Sequence, residues 1–335
     1  MLRYALFRIA LVFPLLIGLS GLVFLIGRVL PGDPVGLAAG PFASEEQRAA
    51  IAAEYGLDQS LPSQYWTYVT GLFEGDFGRS LMTRRPVAGD LAVYLPATLE
   101  LVFFSLFLAA LIGIPAGLIA GARRNQAPDM VIGVSTLTAM SMPPFFLGLM
   151  LQLAFAMALS WLPLSGRFPF ILTPPPSVTG FLTIDSILAG RFDALRVALI
   201  HLTLPAITMA LAPIATIART MRASTIEVMQ QDYVLNARAA GLSPRLILFK
   251  YVFRNAASAT LTTIGLYVGW LLGSTVLVEK VFDWPGIGLY ATNAILSQDF
   301  NPVIAVTLVI GVVFIISSLI VDLLYGVLNP KVTLK

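Results

Sequence analysis

Six long apolar runs divide this chain, and each is near or above the ~20 residues needed to cross about 30 Å of hydrocarbon. The runs are Ile9–Gly27, Ala97–Gly121, Met130–Leu159, Val197–Ala218, Ala256–Val278 and Pro302–Val321. They predict an all-α integral membrane protein with six transmembrane helices. The third run is too long for a straight crossing, and we expect Pro143-Pro144 to kink it.

The first run is predicted to remain as a helix rather than to be removed as a signal peptide. Arg3 and Arg8 precede it, as in a signal peptide, but its 19 residues exceed the usual apolar segment of about 7–15. The sequence that follows, Arg28 to Pro34, is also a poor cleavage site.

Composition agrees with a protein surrounded by lipid. The 335 residues are 57% hydrophobic and 12% charged, whereas soluble domains have about 25% charged residues. Lysines and arginines lie between apolar runs rather than on a folded polar domain, which argues against nucleic acid as a partner. The absence of cysteine excludes disulfides and thiolate metal sites.

The distribution of basic residues predicts the orientation. With six spans both termini share one side, and that side holds 12 of the 21 lysines and arginines. The positive-inside rule places it in the cytoplasm. We therefore divide the chain into a cytoplasmic N-terminus with the first helix (1–27), an external loop (28–96) and a core (97–335) with a cytoplasmic loop at 219–255.

The external loop 28–96 is expected to be partly helical. Ser44-Glu-Glu-Gln47 fits a capping box, in which Ser44 caps the helix and Gln47 reaches back. A second external loop, Leu162–Arg196, is rich in proline.

Glycine spacing predicts close helix packing, which small residues make possible in lipid. Two spans carry glycines at i, i+4 and i+8, which share one helical face. The glycines are Gly113, Gly117 and Gly121 in the second span, and Gly265, Gly269 and Gly273 in the fifth. Whether the partner helix belongs to this chain or to another is left open.

Several classes of membrane protein lack support. An ion-coupled carrier usually needs ionisable or unwound polar sites at mid-membrane, but Glu100 and His201 lie near span ends. One histidine and no cysteine exclude most intramembrane protease sets. None of the four lysines follows glycine, so no phosphate-binding GxxxxGK[ST] loop is present. Uphill transport would need energy from another polypeptide docked on the cytoplasmic side.

The segment Asn236–Ala256 is basic and lies between two spans. It carries Arg238, Arg245, Lys250 and Arg254 and no acidic residue. One interpretation is a docking surface for a partner, and the other is a solvated loop that only sets topology.

Local signals predict two short helices with a tight joint in this loop. Ser224-Thr-Ile-Glu227 fits a capping box at the start, unless the fourth span continues as one helix. Gly241 suits the left-handed position that ends a helix, and Ser243-Pro244 suits an N-cap followed by proline. Ala237 and Gly241, four residues apart, predict a flat face that could lie in a partner's groove.

At this loop the sequence resembles the inner-membrane permease subunits of bacterial ABC importers, in the dipeptide, oligopeptide and nickel branch. Their loop motif EAAxxxG often appears in this branch as D-Y-x-x-x-A-R-A-x-G-L-S, which matches Asp232–Ser243. Ala237 and Gly241 match the second alanine and the glycine, whereas Leu235 and Asn236 replace the glutamate and the first alanine. Other signatures occur in order: Pro31–Pro34, Gly75–Ser80, Arg85–Val87, Leu95–Leu101, Ser141–Pro143, Trp284–Gly288, Asp322–Tyr325 and Asn329–Lys331. The spacing around Leu162–Arg167 and Thr179–Ile187 is most similar to that of dipeptide permeases.

The resemblance implies the type I ABC importer architecture in the bacterial inner membrane. A second homologous permease subunit, two cytoplasmic ATPases and a periplasmic binding protein would be partners, with ATP and Mg bound only by the ATPases and no cofactor in this chain. Residues 237–241 would form a coupling helix driven by the ATPases. The residues assigned to this coupling are Asp232, Tyr233, Ala237, Arg238, Ala240, Gly241, Leu242, Ser243 and Arg245.

The resemblance also implies a path for substrate between two permease chains. Candidates for the path or gate are Glu100, Ser141, Met142, Pro143 and Phe145, although Glu100 is expected instead to pair with an arginine. The chain itself is not expected to be an enzyme. Dipeptides are the first candidate for the transported substrate, followed by longer peptides, nickel chelates, glutathione or other small amine compounds. A self-sufficient channel or ion-coupled carrier and a membrane scaffold are the alternatives.

Overall fold

A computed structural model describes residues 2–29, 34–39, 43–54, 56 and 58–328, and the regular elements within them are helical. This confirms the all-α prediction. Fourteen α-helices are described, in the order α1 Leu2–Val29, α2 Pro34–Ala39, α3 Glu45–Glu54, α4 Leu61–Glu74, α5 Val87–Ala122, α6 Ala127–Ser141, α7 Pro144–Leu151, α8 Leu182–Leu188, α9 Phe192–Met229, α10 Asp232–Ala239, α11 Pro244–Leu246, α12 Arg254–Phe282, α13 Ile287–Leu296 and α14 Phe300–Leu328. Two π-helical segments extend α7 and join α11 to α12, at Gln152–Ala158 and Ile247–Phe253.

Among the described residues, four helices are long and apolar enough to cross a membrane, and a bent pair makes a fifth if it counts as one span. The four are Val87–Ala122, Phe192–Met229, Pro244–Phe282 and Phe300–Val321. The first predicted span falls in α1, whose stretch Ile9–Leu25 is a shorter apolar helix. Six transmembrane helices therefore remain a prediction, while a multi-pass helical membrane protein is established.

The third predicted span is broken where the two prolines occur. Helix α6 ends at Ser141, α7 begins at Pro144, and the two are bent by 101°. Met142 and Pro143 have extended backbones, with ψ angles of 126° and 136°. Each proline lacks an N–H and restricts the residue before it to extended conformations. Two in succession therefore interrupt the helix, which is a larger effect than the predicted kink.

Helices α5 and α9 pack closely along the first glycine face. A Cβ atom added to Gly117 would lie within 3 Å of the Ala218 carbonyl oxygen and of Met221, and one added to Gly121 would lie 2.6 Å from Thr225. Only glycine allows this approach. The partner helix, left open by the sequence, belongs to the same chain.

The second glycine face behaves differently along its length. Gly265 lies against Val321 and Gly269 against Phe314, both on α14, whereas nothing lies within 4 Å of the Cβ position of Gly273. Two of the three glycines are thus used within the chain, and Gly273 faces open space.

The capping box in the first loop is confirmed. The Ser44 amide donates to Oε1 of Gln47 at 3.0 Å, and the Gln47 amide donates to the Ser44 hydroxyl at 3.3 Å. Helices α2, α3 and α4 make this loop partly helical, as predicted, and α5 begins at Val87, ahead of the predicted span.

One end of the molecule is closed by a set of loops that we call the cap. It consists of residues 75–86, 162–191 and 283–299 with the helix ends that they touch. Its core centres on Phe282 and Trp284, which are 1% exposed, and the Trp284 indole donates to the Ala97 carbonyl at 2.9 Å. The opposite end carries α10 and α11.

Candidate functional site

The loop at the end opposite the cap begins later than its capping signal suggests. Helix α9 runs unbroken to Met229, so the capping box predicted at Ser224 is wrong and the continuous helix is correct. Thr225 is fully buried and packs against Gly121 of α5. Because this tertiary contact holds Thr225 in the helix, α9 continues past the capping sequence Ser224–Glu227 instead of starting anew there.

The joint between the two short helices forms as predicted. Gly241 has φ of +75°, and the Leu242 amide donates to the Ala237 carbonyl at 3.2 Å. This left-handed ending favours glycine because a side chain there is strained. The Ser243 hydroxyl then accepts from the Leu246 amide at 3.4 Å, with Pro244 in the first turn of α11.

The inner side of this pair of helices is anchored to the rest of the chain. Val234, Ala237, Ile247 and Val252 form a buried cluster, against which Val228 and Met229 at the end of α9 pack. Ala237 is only 7% exposed. The flat face expected at Ala237 is therefore turned towards the chain's own core rather than outwards.

The outer side is both apolar and basic. Its exposed apolar side chains are Tyr233, Leu235, Leu246 and Phe249. Arg238, Arg245, Lys250 and Arg254 are exposed among them, and none of the ion pairs between described residues involves these four. We call these eight residues the basic surface.

The other residues predicted for this site lie in the same two-helix unit. Asp232 begins α10 at its positive end, where a carboxylate is favourable. Ala240, Gly241 and Ser243 are exposed at the joint, and Leu242 is half-buried against the inner cluster.

In contrast to the cations of the basic surface, Arg222 at the same end of the molecule forms an ion pair with Asp129. Nε and Nη2 of Arg222 on α9 contact the two carboxylate oxygens of Asp129 on α6, at 2.5 and 2.8 Å. The Asn125 amide also donates to Asp129 at 2.9 Å. The pair ties the broken span to α9.

Glu100 is enclosed by the cap. Its carboxylate is 4% exposed and accepts from Nε of Arg167 at 3.0 Å. The amide and hydroxyl of Thr183 donate to its other oxygen, both at 2.7 Å. Glu100 therefore has an arginine partner within the chain, as expected, and its negative charge is matched without a peptide amine.

The remaining path candidates lie at the break between α6 and α7. Ser141 donates its hydroxyl to the Leu137 carbonyl at 2.9 Å, Pro143 is exposed, and Phe145 is 41% exposed. Met142 is half-buried. Glu100 instead contacts the 162–191 loop. The five path candidates therefore lie in two separate places, Glu100 in the cap and the other four at the break between α6 and α7.

Glu279 was missed by the sequence analysis, and it is the most enclosed carboxylate of the cap. It is fully buried, one residue beyond the predicted fifth span, and accepts from the Thr98 hydroxyl at 2.6 Å and the Leu289 amide at 2.9 Å. A Cβ at Gly286 would lie 2.3 Å from its Oε1. The Trp284–Gly288 signature thus encloses the Glu279 carboxylate. The only feature of the sequence that could have indicated this contact is the single glutamate shortly before the signature.

Asp299 was also missed. It is 2% exposed and accepts from the Ser80 hydroxyl at 2.5 Å and the Met82 amide at 3.2 Å. The Gly75–Ser80 signature is therefore held against the residues that precede α14.

Asp185 fixes the second half of the 162–191 loop. Burial alone would raise its pKa, but the amide and hydroxyl of Thr179 and the amides of Val178 and Gly180 donate to it and lower its pKa below the ordinary 3.8. His201 is structural too, because its Nδ1 lies 3.0 Å from the Gly166 carbonyl.

The described residues contain no cluster of three or more His, Cys, Asp or Glu side chains that could hold a metal ion. What the described residues do provide at this end is an anchored helix pair with an apolar and cationic outer side.

Two protein-family models match the chain. The model described as "Binding-protein-dependent transport system inner membrane component" matches residues 113–334. A second, "Binding-prot-dependent transport system membrane comp, N-term", matches residues 1–102.

Curated relatives are similar over nearly the whole chain. A probable D,D-dipeptide transport system permease protein of Escherichia coli strain K12 is 40% identical over 315 residues, which cover 94% of this chain and 93% of the relative. A di/tripeptide transport system permease protein of Pseudomonas aeruginosa strain UCBPP-PA14 is 39% identical over 333 residues, 99% of each chain. A glutathione transport system permease protein of Escherichia coli strain K12 is 36% identical over 335 residues, all of each chain.

Proposed function

The chain belongs to the family of binding-protein-dependent transport system inner membrane components, and on this basis we propose that it is the permease subunit of an ABC importer for dipeptides or short peptides. It is a multi-pass protein of the inner membrane without an ATPase of its own. The ATP is hydrolysed by partner subunits, and substrate is delivered by a binding protein.

The observation that carries the mechanism is the two-sided helix pair α10–α11. Its inner side is buried against the end of α9 and the helix that continues into α12, while its outer side presents the basic surface. A force applied to the outer side is transmitted to two transmembrane helices, because packed interiors move as rigid units. We propose that an ATPase binds this surface and thereby moves the transmembrane helices that open and close the substrate path.

The composition of the basic surface supports a protein partner there. Its exposed apolar side chains lie beside cations that have no ion pair among the described residues. Such a surface is complementary to a partner protein whose groove has apolar walls and acidic side chains at its rim. Leu235 stands where the family's motif commonly has glutamate, so contact at this position is apolar in this chain. Arg245, Lys250 and Arg254 then supply the charge.

We further propose the arrangement of the complex. Two ATPases lie beneath this chain and a second homologous permease, both termini of this chain are cytoplasmic, and the cap faces the binding protein. The exposed stripe Leu266, Trp270, Gly273 and Leu277 on α12 supports a contact with the second permease, because Gly273 leaves room for a close helix approach. The break at Ser141–Pro144 is proposed to flank the path.

Reconstitution tests the proposal. The chain is placed in vesicles with its partner permease, both ATPases and the binding protein, and uptake of a labelled dipeptide is measured with and without enclosed ATP. We expect uptake only with ATP and the full set of subunits. Uptake by this chain alone, without nucleotide, would contradict the proposal and support a channel or ion-coupled carrier.

A double variant, Arg245→Glu with Lys250→Glu, tests the docking surface. Because it places two negative charges on the basic surface, we expect ATP-driven uptake to fall at least tenfold and the ATPases to be lost on purification. Arg196→Glu, an exposed arginine at the other end of α9, is the matched control and should leave both unchanged. An unchanged ATPase content in the double variant would show that docking occurs elsewhere.

Glutathione is a second candidate substrate, because a glutathione permease is 36% identical to this chain over its full length. Competition by unlabelled glutathione against dipeptide uptake in the same vesicles distinguishes the two. Strong inhibition at concentrations where dipeptides do not inhibit would favour glutathione.

A further inference from the structure

A cavity of about 510 Å³ lies beside the two-helix unit, at the end opposite the cap. Most of its lining is apolar and includes Met229, Leu242, Ile247 and Leu248, and two arginines, Arg123 and Arg238, complete it. Its volume falls within the range of about 300–1,000 Å³ typical of small-ligand sites. Its lining contains two cationic groups and no acidic side chain.

The cavity lies at the level where the transmembrane helices end. Arg123 follows α5 directly, and Met229 is the last residue of α9. Since Gly121 packs against Thr225, α5 ends one residue beyond this contact and α9 about one turn beyond it, at Met229. An interface crowded with Arg123, Arg124, Arg219 and Arg222 is where the headgroups of the cytoplasmic leaflet are expected, given the proposed orientation.

Neither cavity arginine pairs with an acidic side chain among the residues that the structure describes. Among the ion pairs between described residues, the one at this end joins Arg222 to Asp129, and none involves Arg123 or Arg238. Both arginines are exposed at the cavity's mouth. The site therefore offers a pair of cations above an apolar space, which matches an anionic headgroup joined to an acyl chain.

We propose that this cavity binds an anionic phospholipid of the cytoplasmic leaflet, with its phosphate at Arg123 and Arg238 and an acyl chain against Ile247 and Leu248. The bound lipid would fill the space between the end of α5 and the two-helix unit. Basic pockets between transmembrane helices on the cytoplasmic side have this chemistry in general. The inference rests on the proposed orientation but not on the identity of the transported substrate. It assigns Arg238 to the lipid phosphate, so that Arg245, Lys250 and Arg254 are the cations of the basic surface that face the ATPase.

Lipid retention tests the charge of the site. The complete transporter complex is placed in nanodiscs of equal parts phosphatidylglycerol and phosphatidylcholine, extracted in mild detergent, and its retained lipids are counted by mass spectrometry. We expect retained phosphatidylglycerol to exceed phosphatidylcholine. Arg123→Gln and Arg238→Gln should each reduce this preference by about fivefold, the ratio for about 1 kcal/mol per basic residue.

Arg124→Gln is the matched control, because Arg124 is the exposed neighbour of Arg123 and does not line the cavity. It should keep the wild-type preference. Equal losses in Arg123→Gln and Arg124→Gln would mean a diffuse surface attraction and would overturn the proposal.

A second pair of variants tests the apolar space. Leu248→Trp fills the cavity and should lower the retention of phosphatidylglycerol several-fold, whereas Leu261→Trp, at an exposed position of α12 that does not line the cavity, should not. A photoreactive residue at position 248 should crosslink to phospholipid. Crosslinking to an ATPase subunit instead would identify a protein side chain as the occupant and contradict the lipid site.

These measurements use no nucleotide or substrate, so they separate the two proposals. A complex that retains phosphatidylglycerol at this site but does not couple ATP to uptake would contradict only the proposed function. A complex that transports normally but shows no preference between the two lipids would contradict only this inference.

Discussion

In the cap, each buried carboxylate meets donors from the chain itself, whereas the cations of the basic surface have no acidic partner among the described residues. Glu100 has Arg167 and Thr183, Glu279 has Thr98 and Leu289, and Asp185 has four donors. Arg245 and Lys250 have no ion pair among the described residues. A buried charge without a partner costs several kcal/mol, while an exposed one costs little.

This difference assigns different mechanical roles to the two ends. Each buried carboxylate of the cap is held by donors of this chain, so substitutions of these residues should act mainly on stability. The basic surface is anchored on one side and left open on the other, so substitutions on its outer side should act mainly on association. The following predictions test that division, from the largest expected change in stability to the smallest.

The largest effect is expected for Arg167→Met in the cap. It leaves the Glu100 carboxylate buried without its cation, which should lower the free energy of unfolding by about 3–5 kcal/mol. The measurement is unfolding of the purified complex in detergent, with Arg196→Met as the exposed control. The double variant Arg167→Met with Glu100→Gln should recover part of the loss, because no unpaired charge remains. No recovery would mean that Arg167 stabilises the cap through its other contacts, such as its hydrogen bond to the Gly180 carbonyl.

A smaller effect is expected for Gly117→Ala, which tests the helix pair joining the two ends. The added Cβ would meet the Ala218 backbone and the Met221 side chain at less than 3 Å, so α5 and α9 must separate, at a cost of about 1–3 kcal/mol. Gly133→Ala on α6 is the control, since among the described residues nothing lies within 4 Å of its added methyl. Equal destabilisation by both would show that helix flexibility, and not packing, is what the alanine changes.

Next in size is the acid sensitivity that Asp185 confers on the cap. Because its native pKa is lowered below 3.8, the resulting stabilisation is fully present above the unfolded-state pKa and is lost as pH falls through the native one. Unfolding midpoints measured from about pH 6 to pH 3 should therefore fall more steeply in the wild type than in Asp185→Asn.

The control for this measurement is Glu74→Gln, an exposed carboxylate on α4 that should keep the wild-type pH profile. Asp185→Asn itself should lower stability at neutral pH by about 1–2 kcal/mol, because an amide cannot accept from all four donors. Parallel profiles for the wild type and Asp185→Asn would show that the cap's acid sensitivity arises elsewhere.

The smallest change in stability is expected for Lys250→Gln on the basic surface. Its side chain is exposed and has no ion pair among the described residues, so the free energy of unfolding should change by less than about 0.5 kcal/mol. The retention of ATPase subunits, measured by their ratio to this chain after purification, should nevertheless fall. A loss of stability in the isolated permease pair would remove the contrast between the two ends.

Much of the loop at the basic end was predictable from sequence, because its signals are local. Gly241 ends a helix since glycine tolerates a positive φ, and Ser243-Pro244 starts the next since both favour a first turn. The capping box at Ser224 failed for a tertiary reason. Thr225 packs on Gly121 there, and that contact outweighs the local preference.

The cap was much less predictable. Glu279 and Asp299 occur singly in the sequence, without a repeat or a spacing that would signal their burial. Their partners Thr98 and Ser80 lie 181 and 219 residues away along the chain. No local pattern connects such positions, since they meet only after the helices assemble.

The sequence by itself determined that this protein is helical and lies in a membrane. It also determined at which positions two helices can approach closely and at which residue the basic loop turns. These features follow from apolar length, glycine spacing and backbone preference, each of which acts over a few residues. The tertiary structure decided that the glycines of α5 meet α9 of the same chain, that Ala237 points inwards, and that the span at Pro143 bends by 101°. Those outcomes depend on which surfaces come together, because burial and pairing are properties of the packed chain and not of any one segment.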